Sequence, residues 1–161
     1  MATPAFAAAI HLETGTSRDL DSVMHVMQEA FGTRYGEAWT RSQCAGILPM
    51  EGVSLVLARD ADGGAAVGFS LSRCVADEAE LLLLAVLPDY HRQGIGRRLL
   101  DQFTARAESR GVGRLHLEVR DGNPAVEMYS AAGFEQVGRR RKYYHGSDGR
   151  NFDALTLARR I

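Results

Sequence analysis

The segment Tyr90–Gly96, Y-H-R-Q-G-I-G, places two glycines where a helix begins, with Arg92, Gln93 and Arg97 around them. Glycine lets a backbone approach a ligand closely, and first-turn amides of a helix have no intrahelical acceptor. Free amides at the positive end of a helix dipole form an anion site, most naturally for phosphates. A neighbouring arginine adds charge-assisted hydrogen bonds to phosphate oxygens. The segment lacks the Lys-Ser/Thr of a nucleotide-hydrolysing P-loop, and its spacing is not the dinucleotide G-x-G-x-x-G fingerprint. The chemistry on offer is capture of a phosphate-bearing ligand.

Such a loop needs a rigid strand before it and a helix after it. Leu81 to Leu87 form an unbroken apolar run that stops at Pro88, as expected of a strand covered on both faces. Beyond the loop, Ile95, Leu99, Leu100, Phe103 and Ala107 share one helical face, with Arg97, Arg98, Asp101 and Arg106 off it. Upstream, Ala9 to Glu13 reads as a strand. A helix follows, with Ser17 or Asp19 as its cap and Leu20, Val23, Met24, Met27 and Phe31 at helical spacing. Gly32 to Gly36 is a loop and Thr40 to Leu48 a shorter helix. Val53 to Arg59 and Ala66 to Val75 pair across a hairpin turn at Asp60 to Gly64. Downstream, Gly111 to Gly113 precedes a strand at Arg114 to Arg120, where Leu115, Leu117 and Val119 alternate with His116 and Glu118. Asn123 and Pro124 open a short helix through Ala132, which Gly133 stops. Phe134 to Val137 and Asp153 to Ala158 are two final strands joined by a long polar segment. The pattern predicts an α/β chain with a mixed sheet covered by helices.

With 161 residues, 45% of them hydrophobic and 24% charged, the chain suits a single domain spanning residues 1–161. A formal net charge of -1 argues against broad capture of nucleic acid, although Arg139, Arg140, Arg141 and Lys142 form a local basic run. Cys44 and Cys74 have no metal-ligand spacing, so we expect no metal and free thiols in a reducing compartment. The N-terminus M-A-T-P-A-F-A-A-A-I lacks a basic region and is soon interrupted by His11 and Glu13, which fits neither a signal peptide nor a membrane span. A cytoplasmic location is the expectation.

Four separate stretches together resemble the GNAT superfamily of N-acetyltransferases: E-A-E-L-L-L-L-A-V-L-P, H-R-Q-G-I-G-R-R-L-L, L-E-V-R, and N-P-A-V-E-M-Y-S-A-A-G-F. They span Glu78 to Phe134. Within the superfamily the chain is most similar to the ribosomal-protein alanine N-acetyltransferase branch. L-E-V-R, the segment Arg140 to Tyr144, Asp148-Gly149, Asp153-Ala154 and Trp39 carry that narrower likeness. The resemblance implies a mostly antiparallel central sheet flanked by about four helices, with acetyl-CoA as co-substrate. The implied acceptor is a protein or peptide N-terminal amine, that of a ribosomal protein in particular.

The resemblance also implies roles. Leu84, Ala85 and Val86 would present backbone groups to the pantetheine arm and thioester. Arg92, Gln93, Gly94, Ile95, Gly96 and Arg97 would wrap the pyrophosphate, and Asn123 would contact the cofactor arm. Glu118 would be the general base and Tyr129 the acid that protonates the departing thiolate. An amine near neutral pH is mostly protonated, so a base must free its lone pair before it attacks a thioester. A strand amide near Ala85 or Val86 would polarise the thioester carbonyl. Two features depart from the family pattern: His91 stands where Gln or Arg is usual, and Asn123 lies one residue closer to Tyr129 than usual. Two alternative readings share the cofactor loop, namely acetylation of a small amine or antibiotic, and a non-catalytic acyl-CoA-binding module.

Overall fold

A computed structural model describes residues 9–61 and 64–161. The apolar run 1–8 and the tip of the Asp60–Gly64 turn lie outside them. Seven strands, β1 (Ile10–Gly15), β2 (Val53–Asp60), β3 (Ala66–Val75), β4 (Glu78–Val86), β5 (Arg114–Arg120), β6 (Glu135–His145) and β7 (Asn151–Arg160), form one sheet ordered β1-β2-β3-β4-β5-β7-β6. Every neighbouring pair is antiparallel except β4 and β5. Among the described residues, four α-helices flank the sheet: α1 (Leu20–Phe31), α2 (Arg41–Ile47), α3 (Ile95–Ser109) and α4 (Ala125–Ala131). The mixed, mostly antiparallel sheet with four helices matches the expectation.

The helices divide between the two faces. Val23, Val26 and Met27 of α1 and Cys44 of α2 pack on Leu55, Leu57, Phe69, Leu71, Leu83 and Ala85. On the other face Leu100, Phe103 and Ala107 of α3 and Tyr129 of α4 pack on Ala79, Leu81, Leu115, Leu117 and Val119. The α3 spacing read from the sequence therefore does position its core face. Among the described residues, no helix is long and apolar enough to cross a membrane, and no group of His, Cys, Asp and Glu could hold a metal.

One expectation is refined and one corrected. Asp19 stands at the N-cap position of α1, as one of the two expected caps, without a side-chain cap bond of its own. The short turn Ser17–Asp19 ahead of it is capped by Thr16, whose hydroxyl accepts from the Arg18 amide, while the Asp19 carboxylate accepts from the Thr16 amide. Asp19 is thus the acidic half of a capping box rather than its hydroxyl half. The polar segment after Val137 is no loop, since β6 runs on to His145. β6 is the outermost strand and exposed along nearly all its length, so no buried face imposes apolar alternation, and its basic residues guard a free edge. Its register breaks between Arg140 and Tyr144, where Lys142 adopts φ 52° and its amide donates to Asp153 at 2.9 Å.

The centre of the sheet is where the site is made. Leu71 pairs with Leu83 and Ser72 with Leu81, leaving Leu82 as an extra residue in β4. This β-bulge reverses the strand's faces. Ala79 and Leu81 face α3, whereas Leu83 and Ala85 face α1. The unbroken apolar run encodes that reversal, because each face takes its turn as core. Pairing of β4 with β5 also ends at Leu81 and Leu117. Past that point the two strands splay, and the β4 backbone from Leu82 to Val86 has no β5 partner.

The loop between α1 and α2 closes one side of this opening. Gly36 there has φ 70°, and a Cβ on it would lie 2.1 Å from the His145 carbonyl oxygen. We expect Gly36→Ala to cost about 2–3 kcal/mol of folding stability, read as a lower urea midpoint. An unchanged midpoint would show that the loop does not dock on β6 as described.

Candidate active site

The short Pro88–Tyr90 turn and α3 frame the glycine loop. The Tyr90 hydroxyl donates to Asp60 at 3.0 Å, and the His91 ring Nε2 lies 2.8 Å from the Val86 carbonyl. These contacts fold the loop back over the end of β4. Arg92 and Gly94 both take left-handed backbone, at φ 62° and 78°, with Gly94 as the N-cap of α3. The first-turn amides of Ile95, Gly96 and Arg97 therefore point out of the helix end. A Cβ on Gly96 would sit 3.4 Å from Met128 Sδ, so glycine lets α4 come close. A groove of about 590 Å³ runs from here, lined by Arg92, Gly94, Ile95, Gly96 and Arg97, past Leu84, Ala85 and Val86, to Asn123 and Met128. Gln93 does not line it. The Arg97 guanidinium is paired with Asp101 at 2.9 Å, which leaves chiefly its amide for a ligand.

Backbone polarity separates the three β4 residues assigned to the cofactor arm. The Leu87 amide donates to Val67 of β3, and the Ala85 carbonyl faces Gly68 of β3. Peptide groups alternate along a strand, so Ala85 turns its backbone to β3, while Leu84 and Val86 turn theirs to the splayed side. The Val86 carbonyl is the one that meets His91. Of the two amides expected to polarise a thioester, Val86 faces the opening and Ala85 does not.

A narrower cavity of about 150 Å³ fills the gap between β4 and β5. Its walls include Glu118, Tyr129, Leu82, Trp39, Phe31 and Tyr144. Phe31, Glu37, Leu84, Arg120, Asn123 and Ala125 line both this cavity and the groove, so the two spaces adjoin. Glu118 has 14% of its side chain exposed, with Oε2 accepting from Thr156 Oγ1 at 2.8 Å and Oε1 paired with Arg140 Nε at 2.8 Å. The alternation in β5 turns it into the cavity rather than to open solvent. The Tyr129 side chain is buried at the cavity wall, edge-on to Phe134 with ring centroids 6.0 Å apart. Burial first, and the Glu37 carboxylate second, hold its phenol well above the usual tyrosine range. Asn123 lines the groove, but its side chain is occupied: Oδ1 accepts from the Ala125 amide at 2.9 Å, and Nδ2 donates to Glu37 at 3.0 Å. The Oδ1 contact closes a turn over Pro124 at the start of α4.

Tyr144 is raised in the same direction, by burial first and then by the charge of Glu37. Both phenols stay protonated in the fold at pH values where an unfolded chain, with tyrosine near 10, begins to ionise. The folded state then binds more protons, so stability present below about pH 10 declines as pH rises further. Urea midpoints compared at pH 9 and pH 11 should fall, and fall less in Tyr144→Phe.

Sequence reasoning missed Glu37, Arg120 and Tyr144 as cavity residues. Arg120 lay inside L-E-V-R without a role, and Tyr144 was only part of a segment likeness. Glu37 sits in an irregular loop and carried no local signal.

The fold, the glycine loop at a helix N-terminus and the splayed β4–β5 cleft define an acyl-CoA-dependent transferase site. The chain belongs to the acetyltransferase (GNAT) family, whose profile matches residues 20–134. It is an N-acetyltransferase, and its co-substrate is acetyl-CoA. It is 36% identical over 141 residues to the [ribosomal protein bS18]-alanine N-acetyltransferase of Escherichia coli strain K12, covering 87% of this chain and 90% of that one. The N-alpha-acetyltransferase RimI of Mycobacterium tuberculosis is 41% identical over 102 residues, 60% of this chain and 61% of that one. The crystal structure of the E. coli ribosomal-protein-S18-alanine N-acetyltransferase superposes with a TM-score of 0.85 at 33% identity, covering 95% and 94% of the two chains. Arabidopsis thaliana NAA60 in complex with a bisubstrate analogue shares the fold, with a TM-score of 0.82 at 18% identity over 95% and 98%.

Proposed function

We propose that this enzyme acetylates the N-terminal amine of a protein, with alanine at the terminus of a small-subunit ribosomal protein as its acceptor. The observation that carries the reading is the small cavity in which Glu118 and Tyr129 meet, adjoining the cofactor groove. The likeness to the E. coli and M. tuberculosis enzymes supports the same acceptor class.

The proposed chemistry divides between the two sides of the cleft. The loop amides of Gly94 to Arg97 and the Arg92 side hold the pyrophosphate, and the exposed β4 edge at Leu84 and Val86 aligns the pantetheine arm. Glu118 takes a proton from the acceptor ammonium, directly or through water, and the free amine attacks the thioester carbonyl. The Val86 amide stabilises charge on the carbonyl oxygen, and Tyr129 donates its proton toward the departing sulfur. The second amine proton, freed as the tetrahedral intermediate collapses, returns to the Tyr129 phenolate through water. Holding both reactants in one narrow space supplies much of the acceleration. Arg140 and Thr156 keep the Glu118 carboxylate aimed.

The test is CoA release from acetyl-CoA with an Ala-terminated ribosomal-protein peptide, followed by mass spectrometry of the product. The expected result is a single acetyl group on the α-amine, with no turnover of polyamines or aminoglycosides. Turnover confined to those small amines would replace the peptide acceptor with them. Tight acetyl-CoA binding without CoA release for any amine would make the chain a binding module.

A further inference from the structure

Glu37 is the one carboxylate that reaches from the α1–α2 loop into both spaces of the site. Its Oε1 accepts from Arg120 Nε at 3.2 Å and its Oε2 from Asn123 Nδ2 at 3.0 Å, with the Arg120 and Glu37 side chains only 10% and 11% exposed. The Arg120 guanidinium also lies 3.6 Å over the Tyr35 ring, and Tyr35 is edge-on to Phe152. The loop backbone is held from the far side, where the Ser147 amide donates to the Thr33 carbonyl at 3.1 Å. Asn123, the second partner, closes the turn at the start of α4 through the Ala125 amide, and Tyr129 follows one helical turn later.

We propose that Glu37 is a positioning residue that holds the acceptor wall, formed by Phe31 at the end of α1 and Trp39 on the same loop as Glu37, in fixed relation to the helix that presents Tyr129. A buried ion pair adds little net stability over a well-packed apolar pair, because desolvation offsets the attraction. What it does supply is directional tethering, and here the tether joins two elements on opposite sides of the reacting atoms. The inference rests on the proposed role of Tyr129. A misplacement of even 1 Å between reacting groups costs about a hundredfold in rate.

Glu37→Gln, which retains one acceptor oxygen, is the first variant. The double variant Glu37→Gln with Arg120→Gln leaves no unpaired charge and guards against failure to fold. The expected result in both is a kcat lowered about tenfold to a hundredfold and a higher KM for the peptide acceptor, with the KM for acetyl-CoA unchanged. Hydrogen exchange should quicken together in the 32–40 loop and in 123–131, and stay as in the parent protein in β1 to β3. Parental kinetic constants would overturn the proposal. So would faster exchange confined to the loop, or a loss spread evenly over both substrates and the whole sheet. If the parent protein itself releases no CoA with the peptide, the proposed reaction fails, and the exchange pattern still decides the role of Glu37.

Discussion

Glu118→Gln should lower kcat by about 10²–10⁴-fold at neutral pH, with the KM for acetyl-CoA unchanged. Glutamine matches glutamate in shape and keeps an oxygen for the Thr156 hydroxyl, which lies 2.8 Å from the carboxylate. It cannot take up the proton that must leave the acceptor ammonium. The loss should shrink as the assay pH rises toward the amine's own pKa, about 7.7–8.0 for an α-amino group, because a growing share of acceptor then arrives already deprotonated. A kcat equal to the parent's across the whole pH range would remove Glu118 as the base. The ion pair with Arg140 complicates the substitution, since Gln leaves that guanidinium without its partner. Arg140 is well exposed, at 62% of its side chain, so water can solvate it and folding should survive.

Tyr129→Phe should lower kcat by about 10²-fold while acceptor and acetyl-CoA KM change little. The ring is buried among Ala132 and Phe134 on the α3 face, and phenylalanine keeps that packing. Only the hydroxyl is lost, and with it the proposed donor to the departing sulfur. Because burial and Glu37 hold the phenol above its ordinary range, Tyr129 remains a donor throughout the pH range in which the base operates. No alkaline limb from Tyr129 should therefore appear in the kcat profile below pH 10 or so. A substrate with a better leaving thiol should suffer less from the substitution. Turnover equal to the parent's with the natural thioester would discard the acid assignment.

The legibility of this protein follows the range of its interactions. The strand, glycine loop and helix from Glu78 to Ser109 were readable because every signal is local: an apolar run, Pro88, Gly94 and a 3.6-residue stripe lie within some thirty positions. The hairpin and the β5 alternation were readable for the same reason. β6 was not, because an edge strand exposed on both faces carries no burial pattern to read. Ser17 and Asp19 are equally good capping types, and only backbone geometry puts Asp19 at the cap of α1 and Thr16 at the cap of the turn before it.

The chain's own order of residues pointed to a phosphate-bearing ligand at a helix N-terminus, and the likeness of four stretches narrowed that expectation to an acyl-CoA. Glu118 and Tyr129 were legible as candidates, but their meeting at one cavity was not. That depends on the Leu82 bulge and on β4 parting from β5 after Leu81, which no local pattern signals. Glu37 lies 83 positions from Arg120 and 86 from Asn123, and nothing along the chain links them. Local preference sets elements through neighbours a few residues apart. The acceptor side of this site is set by packing between elements, so only the tertiary structure decided it.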